Sequence, residues 1–214
     1  MRPSLEQAIA GIYDAFRDVP RPTSGEGGSP HPGRSDIPVL LSKCLRGLSP
    51  ADLLHYATSA YPTVGTVGDF LYFVPRILEI LASEPGWRSD PEAVARNIGM
   101  AGFHSWPDCH RQALLDYFDA VIDELLATEG SCFTLDSWLC ALGILHADLT
   151  PFLARIAAHR PSLVKLHLLN SPALLHSQLA NPLWGEVPEE QRQVIEWLRS
   201  AETQAAVRVE YGVE

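Results

Sequence analysis

The chain has 214 residues, 46% of them hydrophobic and 20% charged, with a formal net charge of −10 and a pI of about 5.2. That length supports one large domain or two small ones around a substantial core. The negative balance argues against wholesale nucleic-acid binding, which needs a basic face for phosphates, and no run reaches the roughly 18 apolar residues of a membrane span.

The first helix is predicted over residues 4–18, with Leu5, Ile9, Ile12 and Phe16 on one face and Ser4 as cap. Val19-Pro20-Arg21-Pro22 stops it. Residues 20–36 hold Gly25, Gly27, Gly28, Pro30, Pro32 and Gly33 and read as a long mobile loop. A short helix is expected from about Pro38 to Leu48. Ser49-Pro50-Ala51-Asp52 then combines a cap, a proline at the first position and an acid in the first turn.

Thr66-Val67-Gly68-Asp69 opens the next helix, whose run from Phe70 to Leu81 is too apolar for a surface position. Pro75 is expected to kink or break it. Ser89-Asp90-Pro91-Glu92 starts a short helix to about Gly99, and Ser105-Trp106-Pro107-Asp108 starts one to about Thr128, closed by Gly130. Further helices are predicted from Thr134 through His146, from Thr150 to about His159, from Arg160 to Leu169, from Pro188 to Ser200 and from about Ala201 to Val209, with a weaker segment after Ser171-Pro172. The expected fold is all-α, an irregular multi-helix bundle or a short α-solenoid-like array of antiparallel helices. No clean repeat period supports a consensus solenoid. A single helical domain over residues 1–214 is expected, with a sub-lobe boundary near 130.

Residues 108–148 carry the strongest chemical signal. Eight acids lie there against one base, Arg111. Asp116, Asp119 and Asp123 recur at i, i+3 and i+7 and share one helix face. Glu124 adjoins them, and Leu114, Leu115, Phe118, Val121, Ile122 and Leu125 form the apolar side. A negative stripe on an anchored helix suits a basic protein partner. Two other readings stand beside it: a merely solvated face, and a magnesium site of the kind Asp-rich helices provide. The second lacks the Lys-rich phosphate clamp that usually goes with it.

Metal and nucleophilic chemistry find little support. His104, Cys109 and His110 are the residues a metal site would use. Zinc ligands, however, normally come as paired residues two to four apart in both halves of a site. Asp108, Cys109 and His110 also point in different directions on a helix. Asp52-Leu53-Leu54-His55 has no second copy to make a carboxylate-bridged centre. There is no G-x-S-x-G elbow, P-loop, dinucleotide fingerprint or H-E-x-x-H. No cofactor or metal is expected. His146, His159, His167 and His176 are dispersed, and His167 lies in an apolar run that suits a core or boundary histidine.

Four scattered cysteines, Cys44, Cys109, Cys132 and Cys140, form no C-x-x-C pair, and Met1-Arg2-Pro3-Ser4-Leu5 has no apolar signal core. Reduced thiols and a cytoplasmic location are expected. Fourteen of the sixteen basic residues are Arg, which with abundant Ala, Leu and Pro points to a GC-rich bacterial source.

The segments Ile12-Tyr13-Asp14-Ala15-Phe16-Arg17-Asp18-Val19-Pro20-Arg21-Pro22, Leu48-Ser49-Pro50-Ala51-Asp52-Leu53 and Asp69-Phe70-Leu71-Tyr72-Phe73-Val74-Pro75-Arg76-Ile77-Leu78-Glu79 resemble a family of uncharacterised bacterial all-helical proteins. The resemblance covers about residues 10–82 and implies a helical fold without an assigned activity. Members of that family carry clustered cysteines after the Val-Pro-Arg-Pro segment. Gly27-Gly28-Ser29-Pro30-His31 stand there in this chain, so a metal or redox role of that loop does not carry over. Phe-x-x-Pro-Arg also has a physical reading: Pro75 frees a backbone carbonyl, which Arg76 satisfies while pairing with an acid. The alternative leaves Arg76 in solvent.

The function expected from these residues is a non-catalytic protein-binding module. It would engage a basic partner through Asp116, Asp119, Asp123 and Glu124, as toxin-neutralising immunity-type proteins do. A helical structural or regulatory scaffold is the second reading, and a metal-binding enzyme using His104 to His110 the third.

Overall fold

A computed structural model describes residues 2–23, 40–58, 66–84, 87, 90–128 and 131–211. Among them there are ten α-helices and no strand. The all-α expectation therefore holds, as a multi-helix bundle. The greater part of the expected 20–36 loop, and Glu129 and Gly130, where a helix end and a boundary were expected, lie outside the described residues. The chain divides into two compact units, Met1–Ala120 and Val121–Glu214, and the division falls inside one helix.

The first unit contains α1 (Leu5–Ala15), α2 (Pro50–Thr58), α3 (Val67–Ser83), α4 (Pro91–Met100) and the start of α5 (Asp108–Ala127). Three of these helices start on reciprocal caps. The Ser4 hydroxyl accepts from the Gln7 N–H while the Gln7 side chain takes the Ser4 N–H. Thr66 and Asp69 do the same for α3, and Ser49 and Asp52 for α2. Each cap satisfies N–H groups that the helix itself leaves without partners, and is typically worth about 1 kcal/mol. Lys43 joins the third cap, its Nζ lying 2.6 Å from Asp52 Oδ2. The Lys43 ammonium first, and then the Ser49 donors, hold the Asp52 carboxyl at about 2.

Of the helix expected from Pro38 to Leu48, Leu40 is helical, but the chain then leaves the helix and only a 3-10 turn at Leu45–Gly47 follows. Arg21 takes the Leu41 carbonyl and, at 3.4 Å, that of Lys43. Those acceptors serve a side chain instead of a helical ladder.

α3 supplies the core of this unit. Phe70, Phe73, Val74, Ile77, Leu78 and Ile80 are at most 1% exposed. The helix runs unbroken through Pro75, which is itself buried. α1 and α2 pack on α3, and α4 packs on α2 and on the 3-10 turn Phe103–Ser105. Tryptophans close the loops: Trp87 Nε1 donates to the Pro50 carbonyl at 2.9 Å and Trp106 Nε1 to that of Ala101 at 3.0 Å.

The second unit contains the end of α5 and α6 (Cys132–Ile144), α7 (Thr150–Ala158), α8 (Arg160–Leu174), α9 (Pro188–Arg199) and α10 (Ala201–Tyr211). α8 packs against α6, α7 and α10, while α9 packs on α10. α8 runs past Leu169, where it was expected to end, and takes in Ser171-Pro172, expected to begin a weaker segment. Leu166, Asn170 and Leu174, at i, i+4 and i+8, are buried and hold the last turns in place, while Pro172 faces outward.

α6 ends at Ile144, short of the expected His146. His146 adopts φ 51°, its N–H meeting the Gly143 carbonyl at 2.8 Å and the Ala147 N–H that of Leu142 at 3.1 Å. This is a Schellman closure with histidine at the left-handed position. The 3-10 turn Pro182–Glu186 seats Trp184, fully buried, against α6. Its indole N–H donates to Asp136 Oδ2 at 3.3 Å, and a Cβ added at Gly143 would meet its ring at 2.9 Å.

Candidate functional site

α5 carries the predicted acidic stripe, and its apolar side is anchored. Leu114, Tyr117, Phe118, Val121 and Ile122 are buried, while Leu115 and Leu125 are half-buried. Tyr117 fixes the helix within the first unit, its hydroxyl donating to the Leu78 carbonyl at 2.8 Å. Asp116 and Asp119 are half-buried on the opposite side. Asp116 Oδ1 accepts from Gln112 Nε2 at 2.8 Å.

Further along the helix, in the second unit, Asp123 is tied internally. Its Oδ1 lies 2.9 Å from Arg155 Nη1, and that arginine side chain is only 12% exposed. Glu124 is exposed and, one residue on, points about 100° away from Asp123. The four acids thus differ. Asp116 and Asp119 share a face, Asp123 on that face is neutralised by its own chain, and Glu124 stands at its edge.

The three residues a metal site would use occupy separate environments in the first unit. His104 is exposed in the 3-10 turn, and Cys109 is exposed in the first turn of α5. His110 stacks on Phe16 with ring centroids 4.2 Å apart and planes at 15°, its Nδ1 buried without a hydrogen bond. An imidazole stacked in this way serves packing. Among the described residues, no group of three or more His, Cys, Asp or Glu side chains is placed to hold a metal ion. No helix among them is long and apolar enough to cross a membrane.

One polar cluster escaped the sequence reading. The Tyr13 hydroxyl donates to Glu79 Oε2 at 2.6 Å, and Arg76 Nη1 reaches the same oxygen at 2.7 Å. Arg76 Nε donates to the Leu48 carbonyl at 2.8 Å. Arg46 lies over the Tyr13 ring at 3.7 Å and 3.6 Å from Glu79 Oε1. Burial pushes the Glu79 carboxyl up, but the Tyr13 hydroxyl and the two guanidinium groups outweigh it and leave it below its usual value. Burial and the carboxylate together push the Tyr13 hydroxyl far up.

Arg76 therefore pairs with an acid, as one reading held, but the carbonyl it satisfies belongs to Leu48 and not to its own helix. The solvent-facing alternative is corrected too, since the Arg76 side chain is 17% exposed. Tyr13, Leu48, Arg76 and Glu79 come from three segments well separated in sequence, and this cluster is where those segments meet.

In the second unit, α7, α8, α9 and α10 enclose an open groove of about 540 Å³. Leu153, Ala157, Leu163, Trp197 and Ala206 line it, with Arg160 and Glu202 among its polar groups. No protein-family model, no curated protein and no solved structure matches the chain.

Proposed function

We propose that the chain is a non-catalytic protein-binding module that engages a basic protein through the outer face of α5, in the manner of a toxin-neutralising immunity-type protein. The observation that carries this reading is the fixed presentation of Asp116 and Asp119. They sit opposite Leu114, Tyr117 and Phe118, which are 0%, 0% and 2% exposed. Carboxylates held in place by a buried helix side meet a cationic partner without first losing backbone freedom. Their long-range field speeds encounter and sets register. Glu124 extends the negative surface at the edge. Asp123 contributes position more than charge, because Arg155 already answers it.

The test is capture from native lysate at low salt, repeated with an Asp116→Lys, Glu124→Lys double variant. A basic partner retained by the wild type at stoichiometric yield, released by salt and lost from the folded variant, supports the reading. Equal capture by both proteins rejects it.

A second reading, a scaffold that associates through apolar surface, is favoured by α8. Leu168 on that helix is 52% exposed and Leu175, just past its end, 83% exposed, with the exposed Pro172 between them. A strictly monomeric chain in concentrated solution removes that reading.

A further inference from the structure

His167 on α8 and Gln204 on α10 join these helices inside the second unit through an arrangement that fixes every proton. Gln204 Nε2 lies 2.7 Å from the Leu198 carbonyl oxygen and 2.9 Å from His167 Nε2. A carbonyl oxygen only accepts, so the amide presents its NH2 group to both neighbours. One N–H goes to Leu198 and the other to the imidazole, whose Nε2 must therefore be the acceptor. The ring proton then sits on Nδ1, 3.2 Å from Ser171 Oγ. The Ser171 hydroxyl donates its own hydrogen to the His167 carbonyl at 2.8 Å and keeps a lone pair for Nδ1–H. The ring is neutral in this arrangement.

A second proton on Nε2 has no acceptor here. It would point at the two hydrogens of the Gln204 amide. Turning the amide over would present Oε1 to the new proton but set it against the Leu198 carbonyl, two acceptors in hydrogen-bond range with no hydrogen between them. Each outcome removes a bond that holds α10.

We propose that the His167–Gln204 contact is a proton-sensitive latch, which holds α10 on α8 while the imidazole is neutral and loosens it when the imidazole is protonated. α10 supplies Glu202, Thr203 and Ala206 to the groove of this unit, so the latch also governs how firmly one wall of that groove is held. The titratable and charged groups on the surrounding elements are Arg160 and Lys165 on α8, Arg155 on α7 with His159 just beyond it, Cys132, Asp136 and Cys140 on α6, Glu189, Glu190, Arg192, Glu196 and Arg199 on α9, and Glu202, Arg208 and Glu210 on α10. Arg155 is paired with Asp123, and Asp136 accepts from Trp184. Burial holds the imidazole below its usual value and favours the neutral, latched form.

The test is amide hydrogen exchange of the full chain at pH 7.5 and 5.0, corrected for the intrinsic rate at each pH, with His167 followed by NMR. The α10 amides are expected to lose protection several-fold on acidification while the α3 amides do not. In His167→Gln the side-chain oxygen still accepts from Gln204 but cannot titrate, so the α10 loss should vanish. A flat wild-type profile, or an equal loss in His167→Gln, overturns the proposal. Gln204→Glu gives an independent reading should that variant fail to fold. A carboxylate facing the ring favours the charged imidazole, so the imidazole pKa should rise and acidification should tighten α10. The same direction of change as in the wild type also overturns the latch.

Discussion

Tyr13 and Glu79 lie 66 positions apart and share a 2.6 Å hydrogen bond, the phenol donating to the carboxylate that Arg76 and Arg46 also approach. It joins α1 to α3, and Arg76 carries the link on to the Leu48 carbonyl. Tyr13→Phe removes one donor to a charged group and should cost about 1–2 kcal/mol, the lower end of the range for such bonds because the site is only partly buried. Glu79→Gln should cost somewhat more, since it leaves two guanidinium groups facing a neutral amide. Urea midpoints of the two variants at pH 7 check both values.

The first unit has an acid dependence with a definite sign. Glu79 lies below its usual value in the folded chain, and Asp52 is held at about 2 by Lys43 and Ser49. A carboxyl depressed by folding binds fewer protons folded than unfolded, so its contribution is present above the unfolded value and lost as pH falls toward the folded one. Stability should decline from about pH 4.5 downward, where free carboxyls begin to protonate. Glu79→Gln and Asp52→Asn should each flatten part of that decline. Denaturation midpoints between pH 7 and 3 measure it, and identical slopes in wild type and variants would contradict the assignment.

Tyr117 and Tyr56 make a matched pair in the first unit. Both are essentially buried, and burial pushes both hydroxyls far up. Tyr117 donates to the Leu78 carbonyl at 2.8 Å, whereas the Tyr56 hydroxyl is buried with no hydrogen-bond partner. Tyr117→Phe removes this bond, leaving the Leu78 carbonyl with its own helical partner, and should cost about 0.5–1.5 kcal/mol. Tyr56→Phe removes a desolvated hydroxyl that nothing satisfies and should be neutral or mildly stabilising. Thermal midpoints suffice, and the difference between the two variants is the informative quantity.

Helix starts were legible where a side chain caps them locally, and less so for α6, which begins at Cys132 and not at the expected Thr134. Ser4 with Gln7, Ser49 with Asp52 and Thr66 with Asp69 each close within three residues, so the pattern that names the cap is also the structure that forms it. Helix ends were less so. Ser171-Pro172 reads locally as the start of a separate segment after an end at Leu169, yet α8 continues to Leu174, with Leu166, Asn170 and Leu174 buried. The acidic face was legible in its spacing. What stayed hidden is which acids the chain uses itself: Arg155, which answers Asp123, lies 32 positions downstream. The Tyr13–Glu79 bond and the groove are hidden for the same reason, since each is assembled from helices that no local pattern pairs.

Gly143 sits inside the buried stretch Leu139 to Gly143 of α6, where a glycine is otherwise unfavourable. Its need is spatial: an added Cβ would lie 2.9 Å from the Trp184 ring and 3.4 Å from Glu190 Cβ. Trp184 is fully buried and cannot swing aside. Gly143→Ala should therefore destabilise by about 1–3 kcal/mol through overpacking, despite the better helix propensity of alanine. Trp184 fluorescence should report the displaced ring, and a variant as stable as the wild type with an unchanged spectrum would show that the turn at Pro182–Glu186 yields easily.

Asp123 and Glu124 are adjacent in sequence but should respond oppositely to neutralisation. Asp123→Asn leaves Arg155, 12% exposed, with a weaker acceptor, although the Phe152 ring at 4.9 Å still faces the guanidinium. Half of that pair is solvated, so the cost should be about 1–2 kcal/mol, between the values for surface and buried pairs. Glu124→Gln alters an exposed position and should stay within about 0.5 kcal/mol of wild type. Affinity for a basic partner should shift in the reverse sense, because Glu124 offers an unanswered charge while Asp123 offers one already met by Arg155. Chemical denaturation and titration against the captured partner, made on the same two variants, separate a residue that holds the helix from one that presents charge. A larger loss of affinity in Asp123→Asn, at equal stability, would make Asp123 the recognition group and Arg155 its positioning partner.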